Sequence, residues 1–188
     1  MSRITNSHFS FLLVFKLSTA LLMKRIFYII AGLLLWLSVP NQARAQSVSK
    51  YQAVFIYTFT KYLEWPESTP PLVVGVMGNS PVLLELEKSS KAKGGAFKVV
   101  KVASMDEIGK CDIIYLPKEQ SRNLRLVTQK AKGENILIVT EDKELAAKGA
   151  NISFYVKDDK LRFIINKAAT TDQNIKISSS LLSLAEVI

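Results

Sequence analysis

A few short groupings in this 188-residue chain hold the residue types that chemistry needs. Ser178-Ser179-Ser180 follows Lys176, and a serine with a lysine as its base can be a nucleophile. Glu141-Asp142 and Asp158-Asp159 are paired acids, an arrangement that can hold a divalent cation or divide acid and base roles. Gly75-x-x-Gly78 precedes a helical segment, where backbone N–H groups can cradle a phosphate. Cys111 is the only cysteine. Each grouping also has a plain structural use. Serine at a helix start satisfies free backbone N–H groups. Paired acids in turns stay solvated or complement a helix dipole. Gly75 and Gly78 lack the G-x-G-x-x-G spacing and a P-loop lysine, so a tight strand-to-helix turn accounts for them. Cys111 opens an apolar strand and reads as a small buried hydrophobe. The only histidine is His8, so neither a His-and-Cys zinc site nor a Ser-His-Asp or Cys-His constellation can be assembled from the later chain. The expectation is therefore no catalytic residue, no metal ligand and no cofactor site.

Those residues need elements to hold them, and the first 45 do not read as part of a fold. Met23-Lys24-Arg25 is a basic start, residues 26–39 are an apolar run broken by Pro40, and Ala43-Arg44-Ala45 is an A-x-A cleavage signature before Gln46. The expectation is a signal peptide over 1–45, with Met23 as the working start and cleavage after Ala45. A single domain at 46–188 remains. The apolar run is shorter than the roughly 20 residues that span a bilayer, so no membrane insertion is expected after cleavage. Of the 25 basic residues, Arg3, Lys16, Lys24, Arg25 and Arg44 lie in this leader, which has no acid; the other 20 face all 16 acids, a net charge of +4. Lysines spread singly at so modest a net charge argue against nucleic acid as a partner.

Downstream, short apolar runs alternate with helical spacing. Residues 72–77 read as a strand, and Ser80 with Pro81 behind it opens a helix that continues to Lys91. Residues 97–102 and 111–116 read as further strands. Leu124, Val127 and Ala131 fall at helical spacing, 136–139 is a fourth strand, and 143–148 is a short helix stopped by Gly149. Two apolar arms, 152–156 and 161–165, flank a polar tip at 157–160, the pattern of a hairpin. Leu181, Leu182, Leu184, Ala185 and Ile188 suggest a closing helix over 177–188. Strands alternating with helices predict a three-layer α/β fold. Its mixed, mostly parallel sheet is covered by helices on both faces and completed by the hairpin and the C-terminal helix.

The stretch YQAVFIYTFTKYLEWPES at 51–68 crowds Tyr51, Phe55, Tyr57, Phe59, Tyr62 and Trp65 into fifteen residues before Pro66; these are six of the eleven aromatics beyond the leader. On a helix over 51–65, Tyr51, Phe55, Phe59, Tyr62 and Leu63 share one broad face. Tyr57, Lys61 and Glu64 take the other side, with Val54 and Trp65 at its margin. A helix apolar nearly all round is a core element, and Lys61, Glu64 and its length count against a membrane span. The broad face is expected in the core. Tyr57, Val54 and Trp65 are left for a partner, since tyrosine and tryptophan combine area with a polar handle. Asn166, at the end of RFIIN, caps the next element or joins that contact. Tyr57, Trp65 and Asn166 are the candidate partner-binding residues.

Tyr62-Leu63-Glu64-Trp65-Pro66 resembles the (F/Y)-x-E-W-P ending of the opening helix in the periplasmic YfiR-like family. VGVMG at 74–78, CDIIYL at 111–116, ILIVTE at 136–141, GANISF at 149–154, LRFIIN at 161–166 and KISSSLLSLAEV at 176–187 follow in the family's order. The resemblance covers essentially all of 46–188. It departs in cysteine content: some members carry several cysteines and disulfides, which puts redox tuning in doubt for a chain with Cys111 alone. The resemblance implies a non-catalytic periplasmic regulator. Such a regulator binds the periplasmic region of a membrane diguanylate cyclase and holds it inactive, lowering cyclic-di-GMP signalling and biofilm formation. Other relatives imply a histidine kinase in that place, and a homodimer stays open. The competing reading is a periplasmic small-molecule-binding module, against which stands the lack of a second lobe and hinge.

Overall fold

The structure is a computed structural model that describes residues 41–66 and 70–188. Contacts group Arg44–Ile188 into one compact unit, whose fold follows. The expected leader lies outside the described residues as far as residue 40.

Helix α1 (Asn41–Tyr62) leads into a two-residue strand β1 (Leu63–Glu64). Then come β2 (Val73–Met77), α2 (Pro81–Ala92), β3 (Lys98–Val102), a 3-10 helix at Met105–Lys110, β4 (Ile113–Leu116), a 3-10 helix at Lys118–Asn123 and α3 (Leu124–Ala131). The second half holds β5 (Leu137–Thr140), a 3-10 helix at Lys143–Lys148, β6 (Ile152–Lys157), β7 (Lys160–Ile165), α4 (Lys167–Thr171), β8 (Lys176–Ile177), α5 (Ser179–Leu182) and β9 (Glu186–Val187). Seven strands make one sheet in the order β3-β2-β4-β5-β6-β7-β9. Pairing is parallel from β3 through β6, antiparallel in the β6–β7 hairpin, and parallel again between β7 and β9. The fold is thus α/β, with a mostly parallel mixed sheet between helical layers.

Every residue of β4 and β5 is buried, as strands covered on both faces require. Side chains alternate between the two faces. Val74, Val76, Ile113, Tyr115, Leu137, Val139, Ile152 and Phe154 meet α1 and α2. Met77, Ile114, Leu116 and Ile138 meet α3 and the 3-10 helices. Local signals set the connections. Ser80 accepts from the Val82 N–H at 3.2 Å with Pro81 at the first helical position. Gly149 stops the Lys143–Lys148 turn at φ 106°. Asp158 and Asp159 form the hairpin tip at φ 51° and 57°, the left-handed pair a two-residue turn requires.

Two elements differ from expectation. The first helix ends at Tyr62 rather than at Trp65, because Leu63 and Glu64 pair antiparallel with Ile177 and Lys176 and a residue before proline favours extended backbone. The closing helix expected over 177–188 shrinks to the single turn α5. On either side of it the chain finds strand partners, β8 on β1 and β9 on β7, and ladder bonds outweigh the weak propensity of so short a helix.

Candidate interaction surface

Ser49, Gln52, Ala53, Ile56 and Phe59 of α1, with Leu63 beyond it, recur at three- and four-residue spacing, and all are buried. Phe59 is fully enclosed, its ring 5.9 Å from Phe154 and 5.4 Å from Phe163. Half-buried Phe55 extends the cluster, 5.3 Å from Phe163. Tyr51 and Tyr62, expected in the core, are instead 58% and 43% exposed, and Val54 is 49% exposed. Small Ala53 lets the helix lie close to the sheet, and the buried Gln52 amide has a hydrogen-bond partner. The buried arc therefore centres on Ile56 and turns the two tyrosines outward.

That partner is Glu141, just beyond β5. Its carboxylate accepts from the Gln52 amide at 3.1 Å, from the Tyr115 hydroxyl, and from the Lys118 N–H at 2.9 Å. Burial pushes the Tyr115 hydroxyl well above its ordinary pKa, and the Glu141 charge adds to the shift, so tyrosine remains the donor. The cluster fastens α1 to the carboxyl ends of β4 and β5. Sequence reasoning took Glu141 for a solvated acid, and its partners Gln52 and Tyr115 stand 89 and 26 residues away, where no local pattern could find them.

The expected partner residues fall in two places. Tyr57 is half-buried beside α2; its ring packs 5.8 Å from Phe97, and the ammonium groups of Lys61 and Lys93 lie 4.7 Å and 5.8 Å from its centroid. Trp65 packs against the same core, with its indole N–H buried and unpartnered among the described residues. Asn166 stands apart at the β7–α4 corner. Its side chain accepts from the Ala169 N–H at 2.9 Å and donates to the Ala146 carbonyl at 2.8 Å. Sequence reasoning passed over Tyr51, Tyr62 and Lys93 as surface residues. The helical wheel alone, drawn around Ile56 rather than around the aromatics, would have exposed the first two.

The groupings with chemical potential have structural work. Ser178 caps α5, accepting from the Leu181 N–H at 3.2 Å. Asp142 caps the Lys143–Lys148 turn through the Glu144 N–H at 3.0 Å. Gly78 turns the chain at φ 68°, and a Cβ on Gly75 would stand 2.6 Å from Cys111 Sγ. Burial pushes the Cys111 thiol up to about 11, which keeps it protonated and a poor nucleophile at neutral pH. Among the described residues no three His, Cys, Asp or Glu side chains gather where a metal could bind, and no helix is long and apolar enough to cross a membrane.

No curated protein matches the sequence. The fold is similar to that of a conserved domain protein from Vibrio cholerae, with a TM-score of 0.57 and 16% identity over 74% of this chain and 59% of that one. It is also similar to an ABC domain from Streptococcus pneumonia solved in complex with L-Trp, with a TM-score of 0.50 and 17% identity over 74% of this chain and 60% of that one. This chain therefore spans less than two thirds of either protein, and at such identities the likeness shows the fold alone. A family match reaches further: it takes in residues 49–186, from α1 through β9, and by it the chain belongs to the YfiR/HmsC-like family.

Proposed function

We propose that this chain is a non-catalytic regulator exported to the periplasm. There it binds the periplasmic sensor region of a membrane signalling protein, a diguanylate cyclase or a histidine kinase, and restrains its output. The observation that carries the reading is membership of the YfiR/HmsC-like family over residues 49–186. The outer face of α1 supports it, because Tyr51, Val54 and Tyr62 leave tyrosine and aliphatic area in solvent beside half-buried Tyr57 and Trp65. Tyr57 and Trp65 are the proposed margins of the contact. Asn166 caps α4 and donates to the Ala146 carbonyl, which holds the β7–α4 corner.

The test is deletion of the gene, followed by its return in trans, with cyclic-di-GMP concentration and kinase-dependent transcription as readouts. Output rises on deletion and falls on complementation if the chain restrains a partner; unchanged output in both assays refutes the regulatory role. Intact mass of protein from the periplasmic fraction tests export, with Gln46 as the expected first residue.

A second reading, a small-molecule module, has one observation in its favour. A cleft of about 720 Å³ opens at the carboxyl ends of β2 and β3, with Asn79, Lys101, Ser104, Glu119 and Gln120 on its walls. Open α/β sheets bind ligands near such ends, where the strand order reverses. A ligand-induced rise in melting temperature that Gln120→Ala abolishes would favour it.

A further inference from the structure

We propose that the outer face of α1 docks an acidic segment of the partner protein, whose carboxylates meet Lys61 and Lys93 across the Tyr57 ring. The inference rests on the regulatory reading above and gives the partner its chemistry. Lys50, Val54, Tyr57 and Lys61 recur at helical spacing and form one stripe; Tyr51, Thr58 and Tyr62 form the stripe beside it. Lys50, Tyr51, Val54, Lys61 and Tyr62 are exposed. The helix carries no aspartate or glutamate along its whole length, so its own charges on this face are cationic.

Lys93 adds a third cation from the end of α2. Its ammonium lies 5.8 Å from the Tyr57 ring centroid and that of Lys61 lies 4.7 Å away, so one ring gathers both charges. Neither lysine takes part in a salt bridge among the described residues. Two flexible side chains already held over one ring lose less freedom when a carboxylate arrives. Tyr51, Val54 and Tyr62 supply the apolar area next to that charged margin. The matching segment carries acids at helical spacing along one side and apolar residues along the other. An anionic lipid surface fits less well. Such surfaces are read by clusters of about four to eight basic residues, whereas here three lysines border a strip of tyrosine and valine.

The test places a benzophenone side chain at exposed position 54, Val54→p-benzoylphenylalanine, in the exported full chain. Irradiated cells are fractionated, and the cross-linked segment is sequenced by mass spectrometry. A membrane-protein segment with Asp or Glu at helical spacing is expected, and its yield should fall about tenfold in Lys61→Glu/Lys93→Glu, with charge repulsion as the cause. The melting temperature should hold in that variant, since both lysines are exposed. A cross-link to lipid, to a second copy of this chain or to a segment without acids overturns the proposal. So does a yield indifferent to the charge reversal, or no cross-link at all. Signalling output separates this failure from that of the regulatory reading. If deletion changes output but Lys61→Glu/Lys93→Glu restrains it as well as wild type, the acidic dock is wrong and the regulator stands. If deletion changes nothing, the regulator itself falls.

Discussion

The two faces of the central sheet are built of different material. Under α1 and α2, Phe59 and Phe97 meet Tyr115, Phe154 and Phe163 in a layer dense with rings. On the other face Val102, Ile108, Ile114, Leu116, Val127 and Ile138 close an aliphatic layer with Met77 and Cys111, and among the described residues it holds no aromatic ring. The difference continues outward. Phe55, Tyr57 and Trp65 lie half-buried at the rim of the first layer, whereas Val73 and Met105 border the second. A ring covers much area with few rotatable bonds and, as tyrosine or tryptophan, tolerates water at one end. A helix made of such residues can bury one side and offer the other. Branched aliphatics interlock at crystal-like density and leave nothing to offer. On the proposed reading, the aromatic face joins core to contact and the aliphatic face is scaffold.

The comparison meets its severest test in Phe59→Ala against Ile114→Val. Phe59 is enclosed by rings, and its truncation is expected to cost about 3–5 kcal/mol, while the shaved Ile114 costs about 0.5–1.5 kcal/mol. Equal losses in denaturant titration would mean that the ring cluster is loosely packed and the contrast is one of composition only.

The aliphatic face should instead be intolerant of added volume. A Cβ at Gly75 would come within 2.6 Å of Cys111 Sγ, 2.7 Å of Val102 and 2.9 Å of Ile114. Gly75→Ala is expected to destabilise by about 1–3 kcal/mol through overpacking. Adding Cys111→Ala should recover part of that loss, because it removes the nearest atom. A Gly75→Ala protein as stable as wild type would show that this layer has slack.

Tyr115→Phe probes the fastening of α1 and ranks next. The hydroxyl is buried and donates to Glu141, so its removal is expected to cost about 1–2 kcal/mol. The pH dependence has a defined sign. Tyr115 has a folded pKa raised above its ordinary 10.0, so its stabilising contribution is complete below that value and is lost as pH rises toward the folded one. Wild type should lose stability above about pH 10 more steeply than Tyr115→Phe. Parallel curves in alkaline thermal melts would show that the hydroxyl is not held protonated.

What the sequence discloses follows the same division. Strands β2, β4 and β5, the Ser80-Pro81 helix start, the Gly149 stop and the Asp158-Asp159 turn were all legible, because each is written in neighbouring residues. The chain end was not. Leu181, Leu182 and Leu184 are spaced for a helix, but pairing with Leu63 and Ile165, more than a hundred and about twenty residues back, decided the outcome. The face of α1 was half legible. Phe59 and Leu63 lie inside as expected, yet weight given to every ring drew Tyr51 and Tyr62 in with them and passed over Gln52, whose burial depends on a distant carboxylate.

The smallest effect on stability is expected on the outer side of α1. Tyr57 and Trp65 are candidate partner residues, but the Tyr57 ring packs on Phe97 and Trp65 packs on the same core, so truncating either is expected to disturb folding as well. Tyr51 is the cleaner choice. It is 58% exposed, at the edge of a cleft shared with Val156 and Leu161 of the hairpin. Tyr51→Ala should change stability by no more than about 0.5 kcal/mol, as for surface positions without a special role. If the outer face of α1 is the contact, the same substitution should weaken partner binding by about 2 kcal/mol, the loss of an interface aromatic. Paired measurements decide it: the melting temperature of purified protein, and the affinity for the membrane partner identified by cross-linking. A stable Tyr51→Ala protein that binds normally removes the centre of the proposed surface. A protein that unfolds shows that the aromatic layer reaches around the helix, and that its core and its contact cannot be separated by a single side chain.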